Sequence, residues 1–154
     1  MNSIGREKML WIFGLLILLV LFFLLIWNLS ARFFANKDLV FLEVNGEVIK
    51  VWLADDDQER FRGLSDRVDL GPAEGMLFLY DRSEYHAHVM RRMLFPLDFL
   101  FVDGDQVVDL VKGIPQNFPG LIKGRKQYDK VLELPAGWIN KHKIQVGDKI
   151  KFLF

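Results

Sequence analysis

The stretch of sequence that decides the fold is GMLFLYDRSEYHAHVMRRMLFPLDFLFVD, which runs from Gly75 to Asp103. Two apolar runs, Met76–Tyr80 and Leu97–Val102, flank a polar centre that holds two of the three histidines in the chain. Short apolar runs bounded by turn-forming residues are typical of buried β-strands. The stretch therefore predicts two core strands separated by a segment rich in ionisable side chains.

Turn signals and strand-like runs alternate through the rest of the sequence. Asn45-Gly46 and Asp103-Gly104 each lie between two β-rich runs, and such pairs favour tight hairpins because their residues tolerate positive φ angles. The predicted strands are Leu39–Val44, Glu47–Leu53, Met76–Tyr80, Tyr85–Met90, Leu97–Val102, Gln106–Lys112, Val131–Leu134 and Lys149–Phe154. This pattern predicts an all-β domain over residues 39–154, mainly an antiparallel sandwich or a small barrel with one or two short helices.

The connections between the predicted strands include a short helix and a long loop. Asp55 is the predicted N-cap of the helix, with Gln58 three residues later as in a capping box, and Gly63 is its predicted end. The acidic residues at this helix start are not followed by the fixed spacing of oxygen ligands that a calcium loop requires. Asp81–Glu84 is predicted to be a turn. Residues 113–130 form a long irregular loop, a length typical of functional or mobile segments.

The N-terminal region carries the clearest targeting signal in the sequence. Met9–Ala31 contains no charged residue, and a helix of about 20 apolar residues spans the hydrocarbon core of a bilayer. We predict a signal anchor or transmembrane helix over residues 1–31 and a linker over residues 32–38, with a cleaved signal peptide as the alternative. Arg6 and Lys8 precede the apolar run, and Arg32 and Lys37 follow it. Because the free amino group adds positive charge before the run, the positive-inside rule favours a single-pass protein of the cell membrane with an extracytoplasmic domain.

Composition excludes several function classes. The chain has 154 residues, a formal net charge of zero and no cysteine. A net charge of zero gives no overall field that favours nucleic acid, so no nucleic-acid partner is predicted. The lack of cysteine excludes disulfides, thiolate catalysis and cysteine-ligated metals. Because no phosphate-binding glycine pattern is present, the sequence predicts no cofactor.

The histidine-bearing segment is a candidate metal site. His86, His88 and Met90 lie at positions i, i+2 and i+4, so their side chains would share one face of a strand. Two imidazoles and a thioether form a ligand set suited to copper, and imidazoles also bind zinc. In the alternative interpretation, Met90 belongs to the core and the histidines make hydrogen bonds at its rim.

A second candidate site centres on Asp98, which interrupts an apolar run. A carboxylate there must be paired, solvated or shifted in pKa. Its candidate partners are Arg67, Arg91 and Arg92, with Glu133 as a second carboxylate. One hypothesis is a site for a small polar or anionic ligand, formed by Arg67, Met90, Arg91 and Asp98. The alternative is a hydrolytic enzyme that uses Asp98 and Glu133 for acid–base chemistry.

Five motifs, taken in order, resemble domain of unknown function family 192, an uncharacterised group of small and often secreted or anchored prokaryotic proteins. The motifs are G-L-S-D-R at Gly63–Arg67, E-G-M-L-F at Glu74–Phe78, P-L-D-F-L-F-V-D at Pro96–Asp103, E-L-P-A-G at Glu133–Gly137 and G-D at Gly147-Asp148. The resemblance covers nearly all of residues 39–154 and implies a compact β-rich fold without an agreed activity.

The chain departs from this family at its most distinctive polar motif. The family pattern before the proline resembles F-W-M-K-N-T, whereas residues 88–93 here read H-V-M-R-R-M. Only Met90 matches, and Arg91 keeps the charge, so the site is altered in this chain. We therefore expect a membrane-anchored β domain that acts as a binding or accessory module for a small ligand or a protein partner, with no catalytic residue assigned.

Overall fold

The computed structural model describes residues 11–12, 14–25 and 39–153. The chain divides into two compact units, Met1–Lys37 and Asp38–Phe154. In the first unit, the described residues form helix α1 (residues 11–12 and 14–25). Within the described residues, no helix combines the length and the apolar character needed to cross a membrane. The predicted anchor extends beyond this described segment on both sides, and the predicted linker lies outside the described residues.

The described part of the second unit is one seven-stranded sheet with two short helices. The strands are β1 (Leu39–Val44), β2 (Glu47–Ala54), β3 (Gly75–Glu84), β4 (Leu97–Asp103), β5 (Gln106–Ile114), β6 (Tyr128–Pro135) and β7 (Ile150–Leu153). The helices are α2 (Asp57–Arg62) and α3 (Trp138–Lys141). The strand order is β5-β4-β6-β3-β2-β1-β7, and only β2 and β3 pair in parallel. The mainly antiparallel all-β prediction is thus confirmed.

The sheet curls until its two edge strands meet at one corner. The backbone N–H of Val107 donates to the Asp148 carbonyl at 2.9 Å, and that of Ile150 donates to the Asp105 carbonyl at 2.8 Å. Gln106 and Lys149 form an isolated bridge at the same corner. The sandwich alternative is therefore wrong: β6 pairs with both β3 and β4, which joins the two halves into one sheet instead of two stacked sheets.

The two faces of this sheet carry separate hydrophobic clusters, because successive side chains of a strand point to opposite faces. The first core cluster includes Leu77, Leu100, Leu132, Leu134 and Ile139. The second core cluster includes Met76, Phe78, Met90, Phe99, Phe101 and Val131. On β6, Glu133 falls between Leu132 and Leu134, so its side chain points to the face of the second core cluster.

Three local predictions are corrected by the structure. Asp81–Glu84 is the end of β3 and not a turn, because Glu84 still pairs with Tyr128 after a register shift. Tyr85–Met90 is not a strand, since its backbone pairing is confined to a bridge between His88 and Ile122. The N-cap of α2 is Asp56 and not Asp55, because the Asp56 carboxylate accepts the hydrogen bond from the Glu59 N–H at 2.7 Å.

Candidate functional site

A pocket of about 320 Å³ lies on the face of the second core cluster, which is within the size range of small-ligand sites. Helix α2, strand β3, strand β6 and the segment of residues 87–93 all contribute to its wall. Its polar and charged lining includes Arg60, Arg62, Tyr80, His88, Arg91 and Glu133. The sheet thus brings together ionisable groups from four separate parts of the chain.

The floor of the pocket is a chain of hydrogen bonds through His88. Its Nδ1 lies 3.1 Å from Glu133 Oε1, and its Nε2 lies 3.0 Å from the Tyr80 hydroxyl. His88 and Glu133 are only 6% and 5% exposed. A buried carboxylate is costly without a partner, so the imidazole is what makes burial of Glu133 tolerable.

Local structure fixes the imidazole of His88 above the sheet. The His88 N–H donates to the Ile122 carbonyl and the Ile122 N–H donates to the His88 carbonyl, both at 2.9 Å. The imidazole packs against the rings of Phe78 and Phe99 in T-shaped arrangements, with centroid separations of 5.1 and 6.0 Å. Backbone pairing and aromatic packing therefore aim both ring nitrogens at their polar partners.

Tyr80 is held in an environment that keeps its hydroxyl protonated. Burial raises the pKa of the Tyr80 phenol well above its usual value, and the neighbouring Tyr128 and Glu133 raise it further. The His86 ring stacks on the Tyr80 ring at 3.5 Å with an interplanar angle of 8°. Burial lowers the pKa of His86, which favours the neutral imidazole in this stack. Tyr80 therefore presents a neutral hydroxyl to the pocket.

Three arginines give the pocket a positive rim. Arg60 donates to the Leu79 carbonyl at 2.7 Å and to Asp57 Oδ1 at 2.6 Å, and its Cζ lies 5.5 Å from the centre of the Tyr80 ring. Arg91 stacks on the Phe61 ring at 3.9 Å and donates to the Phe61 carbonyl. Arg62 is the third. Guanidinium groups bind oxyanions through paired N–H donors, so the rim is suited to anions.

The predicted ligand-binding residues are not all in this pocket. Arg91 lines it, but Met90 is buried in the second core cluster. Arg67 lies 4.9 Å above the Trp52 ring, and burial lowers the pKa of its guanidinium. Asp98 is 1% exposed, and its carboxylate accepts hydrogen bonds from backbone N–H groups instead of the arginines that the sequence indicated.

The two carboxylates of the hydrolytic hypothesis are not brought together. Asp98 is opposite Leu134 across the β4–β6 ladder, whereas Glu133 is opposite Phe99. Residues directly opposite each other share a face, and neighbours along a strand point to opposite faces. Asp98 and Glu133 therefore point to opposite sides of the sheet.

The histidines of the metal hypothesis are already engaged. Both ring nitrogens of His88 are within hydrogen-bond distance of Tyr80 and Glu133, so a copper or zinc ion would have to displace one of them. His86 stacks on Tyr80, and its Nε2 is buried without a protein hydrogen-bond partner. Over the residues that the structure describes, no group of three or more His, Cys, Asp or Glu side chains has a metal-binding arrangement.

The β domain matches a known protein family. The family DUF192, described as "Uncharacterized ACR", matches residues 40–152. The chain belongs to this family. The match spans every strand of the curled sheet except the first residue of β1 and the final residue of β7, so DUF192 describes the whole β domain.

Two solved structures are similar to this DUF192 domain. One is a proposed transcription regulator from Sinorhizobium meliloti 1021, with 24% identity, a TM-score of 0.70, and coverage of 75% of this chain and 95% of that one. The other is a protein of unknown function from Novosphingobium aromaticivorans DSM 12444, with 29% identity, a TM-score of 0.69, and coverage of 73% and 84%. A comparison with curated proteins gives no match. These similarities support the fold of the domain.

Sequence reasoning missed two parts of the site in this DUF192 domain. In the sequence Tyr80 is only the end of an apolar run, although its alternation with Met76 and Phe78 places all three on one face of the strand. No pattern in the sequence marks Arg60 as a site residue, because its position depends on how α2 packs against the end of β3. Residues far apart in the chain approach each other only in the fold.

Proposed function

We propose that this DUF192 domain is a binding module for a small anionic ligand, held at the outer face of the cell membrane by its N-terminal helix. The observation that supports the proposal is the charge of the pocket lining. Three arginines form the rim, and the one acidic lining residue, Glu133, is buried against His88. An anion would gain charge-assisted hydrogen bonds from the rim and a hydroxyl partner from Tyr80. The exposed Phe61 ring and Val89 at the rim suit a ligand that also has an apolar part.

Membrane anchoring rests on the sequence of the first 31 residues. The uncharged run from Met9 to Ala31 is long enough for a bilayer span, and Trp11 and Trp27 lie near its ends, where indole rings favour the interface. Two basic residues lie on each side of the run, and the free amino group adds positive charge before it, which favours a cytoplasmic N-terminus and an extracytoplasmic domain. In this proposal the pocket faces ligands outside the cytoplasm.

Removal of residues 1–31 should release the protein from membranes. We expect the full chain to stay in the membrane pellet after alkaline carbonate washing, because a spanning helix is held by its buried apolar surface. The shortened chain should appear in the soluble fraction, and protease added to intact spheroplasts should digest the domain of the full chain. Recovery of the full chain in the carbonate supernatant, or protection from protease, would contradict the anchor or its orientation.

Anion binding should depend on the arginine rim. We expect sulfate or succinate to raise the melting temperature of the full chain in mild detergent, because a ligand that binds only the folded state stabilises it. Arg91→Gln should weaken binding by about tenfold, equivalent to about 1.4 kcal/mol for one lost charge-assisted interaction.

The matched control for this experiment is Lys126→Gln, which removes one exposed positive charge outside the pocket. It should leave the affinity unchanged. An anion-induced shift of equal size in Arg91→Gln and in the unchanged chain would show that the anions bind elsewhere. A lack of any shift across both anions would count against the binding-module proposal.

A further inference from the structure

We infer that the pocket takes up its anion together with one proton, which is bound by the His88–Glu133 pair and reverses the hydrogen bond between His88 and Tyr80. This inference rests on the proposed anion-binding function and deepens it. It concerns Glu133, His88 and Tyr80, in which His88 contacts Glu133 at 3.1 Å and the Tyr80 hydroxyl at 3.0 Å. It also narrows the ligand to an oxyanion whose oxygen can accept a hydrogen bond from a phenol.

Without a ligand, the hydrogens carried by His88 and Tyr80 determine the direction of each hydrogen bond in the pocket. An ionised Glu133 can only accept hydrogen bonds, so Nδ1 of His88 must carry the hydrogen that they share. A neutral imidazole then has a lone pair at Nε2, and Tyr80 must donate its hydroxyl hydrogen to it. The Tyr80 oxygen now offers only lone pairs to the pocket. In this state it repels an anion.

The second step is the addition of one proton to the pair. If His88 takes the proton, its Nε2–H donates to the Tyr80 oxygen, and the tyrosine hydrogen is free to turn toward the ligand. If Glu133 takes the proton, its O–H donates to Nδ1, and the hydrogen of His88 moves to Nε2 with the same result for Tyr80. The proton therefore belongs to the pair, and either assignment makes Tyr80 a donor.

The third step is the electrostatic effect of the surroundings. The titratable and charged groups around His88 are Tyr80, His86, Arg60, Arg62, Arg91, Tyr128 and Glu133. The arginines oppose a further positive charge in the empty pocket, and an anion at the rim removes that opposition. Because burial raises the pKa of Tyr80, the phenol keeps its own proton throughout. Ligand charge and hydrogen-bond direction thus favour protonation together.

This property depends on His88. A phenyl ring at this position could neither accept a hydrogen bond from Tyr80 through a ring nitrogen nor take up a proton. Glu133 without the imidazole would therefore lack this proton site.

The test is calorimetry of the full chain in mild detergent at pH 7.5, with sulfate and succinate as separate ligands. Both anions are fully ionised at this pH, so the protein and not the anion is expected to bind any proton that is taken up. Titration in buffers with different heats of ionisation measures that uptake directly. We expect close to one proton per bound anion, and an affinity that rises by about tenfold per unit of falling pH where the pair is deprotonated.

Tyr80→Phe is the decisive variant, because it removes the hydroxyl but keeps the ring. Its proton uptake should be smaller than that of the unchanged chain, because the effect of the ligand charge remains while the hydrogen-bond reversal is lost, and its affinity should fall by about tenfold. Tyr85→Phe is the matched control, since Tyr85 is 59% exposed and does not line the pocket, and it should behave like the unchanged chain. If Tyr80→Phe fails to fold, the unchanged chain alone still tests the inference, because the dependence of the binding heat on the buffer is measured without a variant.

The outcomes separate this inference from the proposed function. Binding of either anion with the same heat in every buffer would overturn proton coupling and leave the binding module intact. Absence of binding by both anions would overturn the two proposals together. Uptake seen with succinate alone would support coupling for carboxylate ligands, and uptake with sulfate alone would support it for tetrahedral oxyanions.

Discussion

Replacement of Asp98 with alanine is expected to lower the free energy of unfolding by about 3–5 kcal/mol, since each buried donor left without an acceptor costs about 1–3 kcal/mol. The carboxylate of Asp98 accepts from the backbone N–H groups of Gly113 at 2.7 Å and of Gly137 and Ile139 at 3.0 Å. These three amides belong to the end of β5 and the start of α3. Asp98 therefore connects two other segments of the chain to the start of β4.

Urea denaturation of the full chain in mild detergent would measure this loss. Asp98→Asn keeps one oxygen acceptor and should be destabilised less than Asp98→Ala. The matched control is Asp105→Ala, which removes an exposed ion pair with Lys149 and should have little effect on stability. Equal effects of Asp98→Ala and Asp105→Ala would contradict the structural role of Asp98.

The same variants separate the structural role of Asp98 from ligand binding. Asp98 points to the face opposite Glu133, so Asp98→Asn should bind anions with unchanged affinity wherever it remains folded. A loss of anion binding in folded Asp98→Asn would instead support the hypothesis, made from the sequence, that Asp98 belongs to the ligand site.

The second large effect is expected for Gly75→Ala, which should destabilise the domain by more than about 3 kcal/mol or prevent folding, because overlap with backbone atoms cannot be relieved by a rotamer change. A Cβ atom at Gly75 would lie 2.3 Å from the Glu133 carbonyl oxygen and 2.8 Å from Leu134 Cδ2. Gly75 thus permits the close approach of β3 and β6. That approach places Glu133 beneath His88, so the pocket should be lost as well.

Circular dichroism and denaturant unfolding would test this prediction, with Gly104→Ala as the control. Gly104 has a φ of +59° but has open space where a Cβ would be, so alanine there should cost only about 1 kcal/mol of backbone strain. A Gly75→Ala protein as stable as Gly104→Ala would show that β3 and β6 can separate without loss of the fold.

The hairpins and most strands were predictable because their signals are local. Asn45 and Gly46 adopt φ angles of 51° and 83°, as the predicted turn between β1 and β2 requires. Gly104 has a φ of 59° in the second predicted hairpin. The end of α2 at Gly63 is also confirmed, with a φ of 52°. Glycine and asparagine reach these angles at low cost, so the chemistry of one or two residues determines the turn.

The candidate site was only partly predictable, because residue type marks a reactive group but not its neighbours. The sequence singled out His88 and Arg91, which both line the pocket. It associated Glu133 with Asp98, whereas Glu133 contacts His88 from 45 residues away. No pattern in the chain marks such a pair, since the contact exists only when β6 lies beside β3.

The sequence by itself therefore determined most of the strands, the hairpin turns and the family of this protein. Turn geometry and alternation depend on residues within a few positions of each other. Only the tertiary structure decided that the strands form one curled sheet, because the insertion of β6 between β3 and β4 is a long-range pairing. It also decided that Asp98 holds backbone amides while Glu133 and Tyr80 meet at His88. Those roles depend on which face of the sheet each side chain occupies and on what distant chain segments cover that face.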